Sequence, residues 1–172
     1  MLEIRQLGAI EAHHYLDDLA AVLLDCVAGG ASVSFMASLS LAEARRFFES
    51  VIESIQKSDR ILLAAFLDSK LVGTVQIITA TPPNQPHRAD VAKLLVHRSA
   101  RNQGIAARLM RQVEQASLDA GKTLLVLDTT TGHTAERLYP RLGWIKVGVI
   151  PNYATLPDGT PSGTTIFYKQ LS

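Results

Sequence analysis

The spacing of apolar and polar positions changes several times along the 172-residue chain, and each change predicts an element. Leu2 to Leu7 alternates, with Leu2, Ile4 and Leu7 facing in, and reads as a strand. Ala9 to Val27 keeps a helical period through Leu16, Leu19, Leu23 and Cys26, and Gly29-Gly30 ends it where positive φ is needed. Ser40 with Glu43 three residues later is a capping-box pattern. It opens a helix to about Lys57 whose apolar face is Leu41, Ala44, Phe47, Phe48, Val51, Ile52 and Ile55. Ile61–Leu67 and Leu71–Thr79, joined by Asp68-Ser69-Lys70, predict a β-hairpin, with Gly73 marking a bulge or a close backbone approach.

The second half alternates strands with helices. Thr81 to Pro86 cannot continue a ladder and is a loop; Ala89 to Val96 is a buried strand. From Ile105 the apolar positions Ile105, Leu109, Val113, Ala116 and Ala120 fall on one helical face, and Gly121-Lys122 breaks the pattern. Thr123 to Leu127 is a continuous apolar run, as suits a strand covered on both faces. Strand, helix, strand in this order is a crossover, so the two strands should be parallel. A short helix is expected over His133–Leu142 and closed by Gly143. A strand should follow over Trp144–Val149, then a loop over Pro151–Gly163 and a final strand over Thr164–Leu171. No repeat or linker interrupts this order, so residues 1–172 read as one α/β domain with a mixed sheet.

Composition narrows the function classes. Hydrophobic residues are 47% and charged residues 19%, a globular balance, and the formal net charge of +1 gives no bulk attraction to nucleic acid or an anionic membrane. No apolar run reaches spanning length, the first residues lack a charged-then-apolar signal layout, and a cytoplasmic location is the expectation. Cys26 is the single cysteine and falls on an apolar helical face, where a buried, inert thiol is expected. The five histidines have no metal-ligand spacing, so no metal site is expected.

Charge does cluster at one junction. Between the Ala89–Val96 strand and the Ile105 helix lie Arg98, Arg101 and Gly104, with Arg108 one turn into the helix. The first turn of a helix offers free amide N–H groups and the positive end of the dipole. A glycine there allows close approach, which makes an anion site suited to a phosphate or pyrophosphate, or simply a turn that needs glycine for its geometry.

The motif Arg101-Asn102-Gln103-Gly104-Ile105-Ala106 resembles the acetyl-coenzyme A pyrophosphate loop of the GNAT acetyltransferases. Ala135 to Trp144 resembles a second segment of that family, A-x-x-[LF]-Y-x-x-[LA]-G-[FYW], and the order of elements is similar across the chain. The resemblance implies a GNAT fold, a mixed sheet of about seven strands flanked by about four helices. Its implied function is transfer of an acetyl group from acetyl-coenzyme A to the amine of a small molecule. Several stretches are similar to the tabtoxin-resistance acetyltransferases within the family: Gly29 to Val33 with Phe35-Met36, Leu127-Asp128-Thr129, and Tyr153 with Pro157-Asp158-Gly159.

By the same resemblance, Leu94, Leu95 and Val96 would hold the pantetheine arm, with the Leu94 and Val96 amides at the thioester, and Arg101 to Ala106 would hold the pyrophosphate. Tyr139 matches the residue that protonates the departing thiolate, although it also continues the helical core face of Ala135, Leu138 and Leu142. Many relatives carry an asparagine seven residues before that tyrosine; here the position is Gly132, with His133 or Thr134 as replacements for its cofactor contact.

The acceptor amine must lose a proton, and the carboxylates near the expected centre are Asp90 and Asp128. Asp128 ends a parallel strand, where α/β sheets usually place ligands, or else caps the loop by contacting backbone amides; Asp90 is a base, a residue that orients the substrate, or a solvent-facing one. Phe35, Met36 and Tyr153 are candidate walls of the acceptor cleft, while Phe35 and Met36 could equally be buried in a helix–helix connection. Two rival functions share the fold: a non-catalytic coenzyme A sensor, and a protein or peptide N-acetyltransferase. Family pattern also allows a homodimer through the terminal strands.

Overall fold

The computed structural model describes residues 1–172. Its strands are β1 (Leu2–Leu7), β2 (Arg60–Leu67), β3 (Lys70–Ile78), β4 (Arg88–Val96), β5 (Leu124–Thr130), β6 (Ile145–Thr155) and β7 (Pro161–Gln170). They form one seven-stranded sheet in the order β1-β2-β3-β4-β5-β7-β6. Only β4 and β5 run parallel, as the crossover through the intervening helix requires. The β2–β3 turn closes on Asp68 and Ser69, both in the left-handed region (φ 48° and 68°), which matches the twist of a hairpin.

Helices cover both faces. α1 (Ala9–His14), α2 (Leu16–Ala28) and α3 (Leu41–Gln56) lie on one side, α4 (Ile105–Asp119) and α5 (Leu138–Arg141) on the other. The alternation of β2 divides the core: Leu62, Ala64 and Phe66 pack with Leu19, Leu23 and Phe48, while Leu63 and Ala65 pack with Leu109 and Val113. A side chain of this kind contributes about 1.5–3 kcal/mol on full burial, so the two layers together fix the sheet between them. No helix is long and apolar enough to cross a membrane.

Four features differ from the sequence expectation. The helix expected over Ala9–Val27 divides at Tyr15, whose backbone (φ −95°, ψ 17°) leaves the helical range. Its ring packs edge-on against Phe66, with the Arg5 guanidinium 3.9 Å from the Phe66 ring centre. The expected His133–Leu142 helix is a 3₁₀ turn over Thr134–Arg137 followed by the short α5; Pro140 has no N–H to donate back to Glu136. The break at Tyr15 raises the number of α-helices from the expected four to five. Finally, β6 runs on to Thr155, and Pro151 is tolerated there because β6 is an edge strand and its register breaks between Ile150 and Ala154.

Two local details position the site. Gly73 approaches β4 so closely that a Cβ would lie 2.9 Å from the Leu95 carbonyl oxygen. Directly beside it the β3–β4 register shifts between Thr74 and Gln76, and Lys93 takes φ 54°. This bulge turns Leu94 to the α4 side and Leu95 to the α2–α3 side.

The Ser40 capping box forms as expected: the Glu43 N–H donates to Ser40 Oγ (3.2 Å) and the Ser40 N–H to Glu43 Oε2 (2.8 Å). Ser40→Ala is expected to destabilise the protein by about 1 kcal/mol. Urea titration should show this as a lower midpoint at unchanged slope.

Candidate active site

The sheet forks at its centre. β4 pairs with β5 only at Arg88, Ala89 and Asp90, opposite Leu124, Leu125 and Val126. Beyond Asp90, β4 stays with β3 while β5 stays with β7 as far as Thr130. The β4 edge carrying Leu94, Leu95 and Val96 is therefore left without a β5 partner, which is the requirement for an extended ligand to add to that edge. The Val96 carbonyl is already engaged, accepting from Arg101 Nε at 3.1 Å and from Cys26 Sγ at 3.4 Å. Cys26 is buried, and burial pushes its thiol pKa up despite the opposing Arg101 guanidinium.

At the end of β4 the chain makes the turn that the motif spans. Asn102 (φ 61°) and Gly104 (φ 74°, ψ 8°) are both left-handed, and Gly104 is the N-cap of α4. The first intrahelical bond runs from Arg108 N–H to Gly104 C=O, so the amides of Ile105, Ala106 and Ala107 have no partner within the helix. A Cβ on Gly104 would meet nothing within 4 Å, which leaves the mouth of the turn open. These features fit a pyrophosphate. The turn is anchored from behind: Asp25, at the end of α2, accepts from the Arg98 N–H (2.7 Å) and Arg98 Nε (3.0 Å). Burial alone would raise the Asp25 pKa, but these bonds hold it below the usual range.

Gly104→Ala places a side chain at positive φ and a methyl group in the mouth of the turn. Such a left-handed residue costs about 1–2 kcal/mol. The expected outcome is an affinity for a pyrophosphate-bearing ligand weakened about tenfold or more, for about 1.4 kcal/mol per decade. Calorimetric titration with coenzyme A, a ligand of that kind, checks it.

On the α1–α3 side of the fork lies a cleft of about 240 Å³, whose lining includes Ser34, Phe35, Met36, Asp128, Tyr153 and Thr164. The structure thus brings together four of the residues singled out from sequence: Phe35, Met36, Asp128 and Tyr153. Its two walls are stitched across by Ser32 Oγ donating to the Thr155 carbonyl (3.0 Å) and by the Ala37 N–H donating to the Pro157 carbonyl (3.0 Å). The β6 register break carries Tyr153 out of the ladder and over this cleft. Phe35 packs edge-on against Phe47, with ring centres 5.2 Å apart.

Asp128 is exposed at the cleft, and Thr164 Oγ1 donates to its Oδ2 at 2.7 Å. Asp90 stands apart from that lining, its carboxylate ion-paired with Arg88. Tyr139 belongs to the other face of the sheet, buried against Trp144 and Phe167 at ring distances of 6.0 and 5.5 Å. Burial first, and then the negative charge of Asp128, push its phenol pKa well above the ordinary tyrosine value. The phenol stays protonated throughout the neutral range.

The loop after β5 is set by Glu136, which accepts from the Gly132 N–H and from Thr165 Oγ1, both at 2.6 Å. The Thr165 bond, then the Gly132 amide, hold this carboxyl below its usual pKa. Gly132 takes φ 81°, a conformation glycine adopts freely, and neighbouring His133 is exposed. Among the residues that escaped the sequence reading are Thr164, which lines the cleft, and Lys93, which adjoins it through Ser34. Thr164 had no local signal, since its partner Asp128 is remote in sequence. Lys93 had one: a lysine inside the apolar run Val91 to Val96. It lies at the bulge with Nζ 3.1 Å from Ser34 Oγ.

Comparison with known proteins agrees with this geometry. Residues 30–144 match the model of the acetyltransferase (GNAT) family. Among solved structures, the N-acetyltransferase from Staphylococcus aureus Mu50 is similar with a TM-score of 0.82 and 17% identity, over 100% of this chain and 99% of that one. The ribosomal-protein-alanine N-acetyltransferase from Brucella melitensis has a TM-score of 0.81 and 18% identity, over 98% and 99%. RimL, a ribosomal L7/L12 α-N-protein acetyltransferase in complex with coenzyme A, has a TM-score of 0.80 and 16% identity, over 99% and 94%. At such identities the structural likeness is one of fold. The forked α/β sheet with its glycine-led turn defines an N-acetyltransferase fold. The chain belongs to the GNAT acetyltransferase family.

Proposed function

We propose that this enzyme transfers the acetyl group of acetyl-coenzyme A to the amine of a small, amino-acid-like acceptor, directly and within a ternary complex. The observation that supports the reading is the fork itself, with the Asp128 carboxylate exposed at the cleft on one side and the Tyr139 phenol buried on the other, within range of the Asp128 charge. Acetyl-coenzyme A supplies the activated thioester. The amides of Ile105 to Ala107 take its pyrophosphate, and the free edge of β4 at Leu94 to Val96 takes the pantetheine arm.

Asp128, oriented by Thr164, accepts the proton of the acceptor ammonium so that the nitrogen lone pair is free to form the new C–N bond. As the C–S bond breaks, Tyr139 gives its phenolic proton to the thiolate sulfur; the nitrogen, cationic after attack, sheds its second proton to solvent, and solvent then reprotonates Tyr139 and takes the proton held by Asp128. Asp90, tied to Arg88, is assigned to orienting the substrate side of β4. Cys26 takes no part in this route.

The narrow cleft and its stitched walls support a small acceptor over a peptide. The relationship to the tabtoxin-resistance enzymes, and with it a role in toxin or antibiotic resistance, is part of the same proposal. So is a homodimer through β6, the sheet edge that exposes Ile145, Val147 and Val149. A coenzyme A release assay across amino acids, polyamines, aminoglycosides and peptides tests the main reading. Release with a small amine and none with peptides is expected. Turnover of peptides alone would replace it with a protein acetyltransferase, and binding without release would replace it with a coenzyme A sensor.

A further inference from the structure

Behind the acceptor cleft, three buried or half-buried donor groups converge on one stretch of the sheet. Arg60 starts β2, Gln76 lies on β3 opposite Ala92, and Lys93 is the bulge residue of β4. Gln76 is fully buried, and its Oε1 accepts from the Arg60 guanidinium. That bond fixes the amide orientation, so Nε2 is the free end, and it has no partner. Arg60 Nε is likewise buried without a partner.

Neither Arg60 nor Lys93 forms an ion pair, although each lies close enough to the other for the Arg60 charge to act on Lys93. A buried donor left unsatisfied costs about 1–3 kcal/mol, and more when charged. Every orphan in this cluster is a donor. The group that would satisfy such a set is acceptor-only and negative, as a carboxylate is.

Lys93 links the cluster to the cleft. Its Nζ is 3.1 Å from Ser34 Oγ, and Ser34 lines the cleft together with Asp128. Its other near neighbours are the Phe47 ring, 5.8 Å from Nζ, and the Asp128 carboxylate, whose charge favours the ammonium form against burial and Arg60. A cation pair beside a lone carboxylate has the polarity of a zwitterion turned inside out: negative where an amine must be deprotonated, positive a short way behind it.

We propose that Lys93, backed by the buried Arg60–Gln76 pair, forms an anion subsite at the rear of the cleft that binds the carboxylate of the acceptor, making the acceptor an amino acid rather than a simple amine. This rests on the small-acceptor acetyltransferase reading above, and it assigns specificity to residues outside the proton-transfer pair.

The test is calorimetric, on the full chain saturated with coenzyme A so that no turnover intrudes. Free amino acids are titrated in pairs with their amides, which keep the amine and lose the negative charge. The amino acid of at least one pair is expected to bind at least tenfold tighter than its amide. Lys93→Met should abolish that preference and Lys93→Arg should retain part of it. Gln76→Leu should weaken the preference and, because it leaves the Arg60 guanidinium without its acceptor, lower Tm as well. Equal binding of acid and amide in every pair, or no binding of either, overturns the subsite, even if neutral amines release coenzyme A. Acid-selective binding with no thiol release from any amine leaves the subsite standing and removes the transferase reading.

Discussion

Asp128→Asn is expected to lower kcat by about 10²–10⁴-fold, the range usual for loss of a positioned general base. Asparagine has nearly the shape of aspartate and keeps a carbonyl oxygen for the Thr164 hydroxyl, which donates to Asp128 at 2.7 Å. What it loses is the capacity to take a proton and the negative charge facing Lys93. The dissociation constant for coenzyme A should stay within about twofold, since the pyrophosphate turn and the free β4 edge are untouched. Steady-state kinetics with a calorimetric titration of coenzyme A measures both. A variant with undiminished kcat would leave the proton to bulk water and remove Asp128 from the chemistry.

Tyr139→Phe is the second large effect, a fall in kcat of about 10²-fold or more with little change in cofactor affinity. The ring stays, so its edge contacts with Trp144 and Phe167 stay, and stability should be close to that of the parent. Only the proton donor is lost. The sign of its pKa shift gives a second check. Burial and the Asp128 charge both favour the protonated phenol. The parent enzyme should therefore show no loss of kcat from Tyr139 ionisation in the ordinary tyrosine range, and any falling limb should lie above it. An unchanged kcat in the phenylalanine variant would return Tyr139 to a packing role.

The strands were largely legible because period-2 alternation and the Pro-Gly punctuation are local signals; β1 and the β2–β3 hairpin stand where the pattern put them. The parallel β4–β5 pair followed from the crossover rule alone. The break at Tyr15 was not legible, because it depends on a ring packing against Phe66 from a strand far along the chain. The continuation of β6 past Pro151 was hidden for a related reason: proline argues against a strand only where an inner ladder needs its N–H, and edge position is a tertiary fact.

The site divides in the same way. The glycine-led turn and the Tyr139 segment are contiguous motifs and could be read directly. The cleft was legible only in part: Phe35, Met36, Asp128 and Tyr153 stood out by resemblance, but their meeting with Ser34 and Thr164 depends on separate stretches that come together only once the sheet forks. Lys93 illustrates the limit. A lysine in an apolar strand is visible in sequence, but the bulge that turns it toward Ser34 and Asp128 depends on the β3–β4 register and on the close approach of Gly73.

The central claim is direct transfer between two ligands held at once on either side of the fork. Initial rates of thiol release, measured while acetyl-coenzyme A and the acceptor are varied together, test it most directly. Double-reciprocal lines that intersect are the predicted result. Parallel lines would mean that coenzyme A leaves before the acceptor binds, and would contradict the claim by requiring an acetylated enzyme.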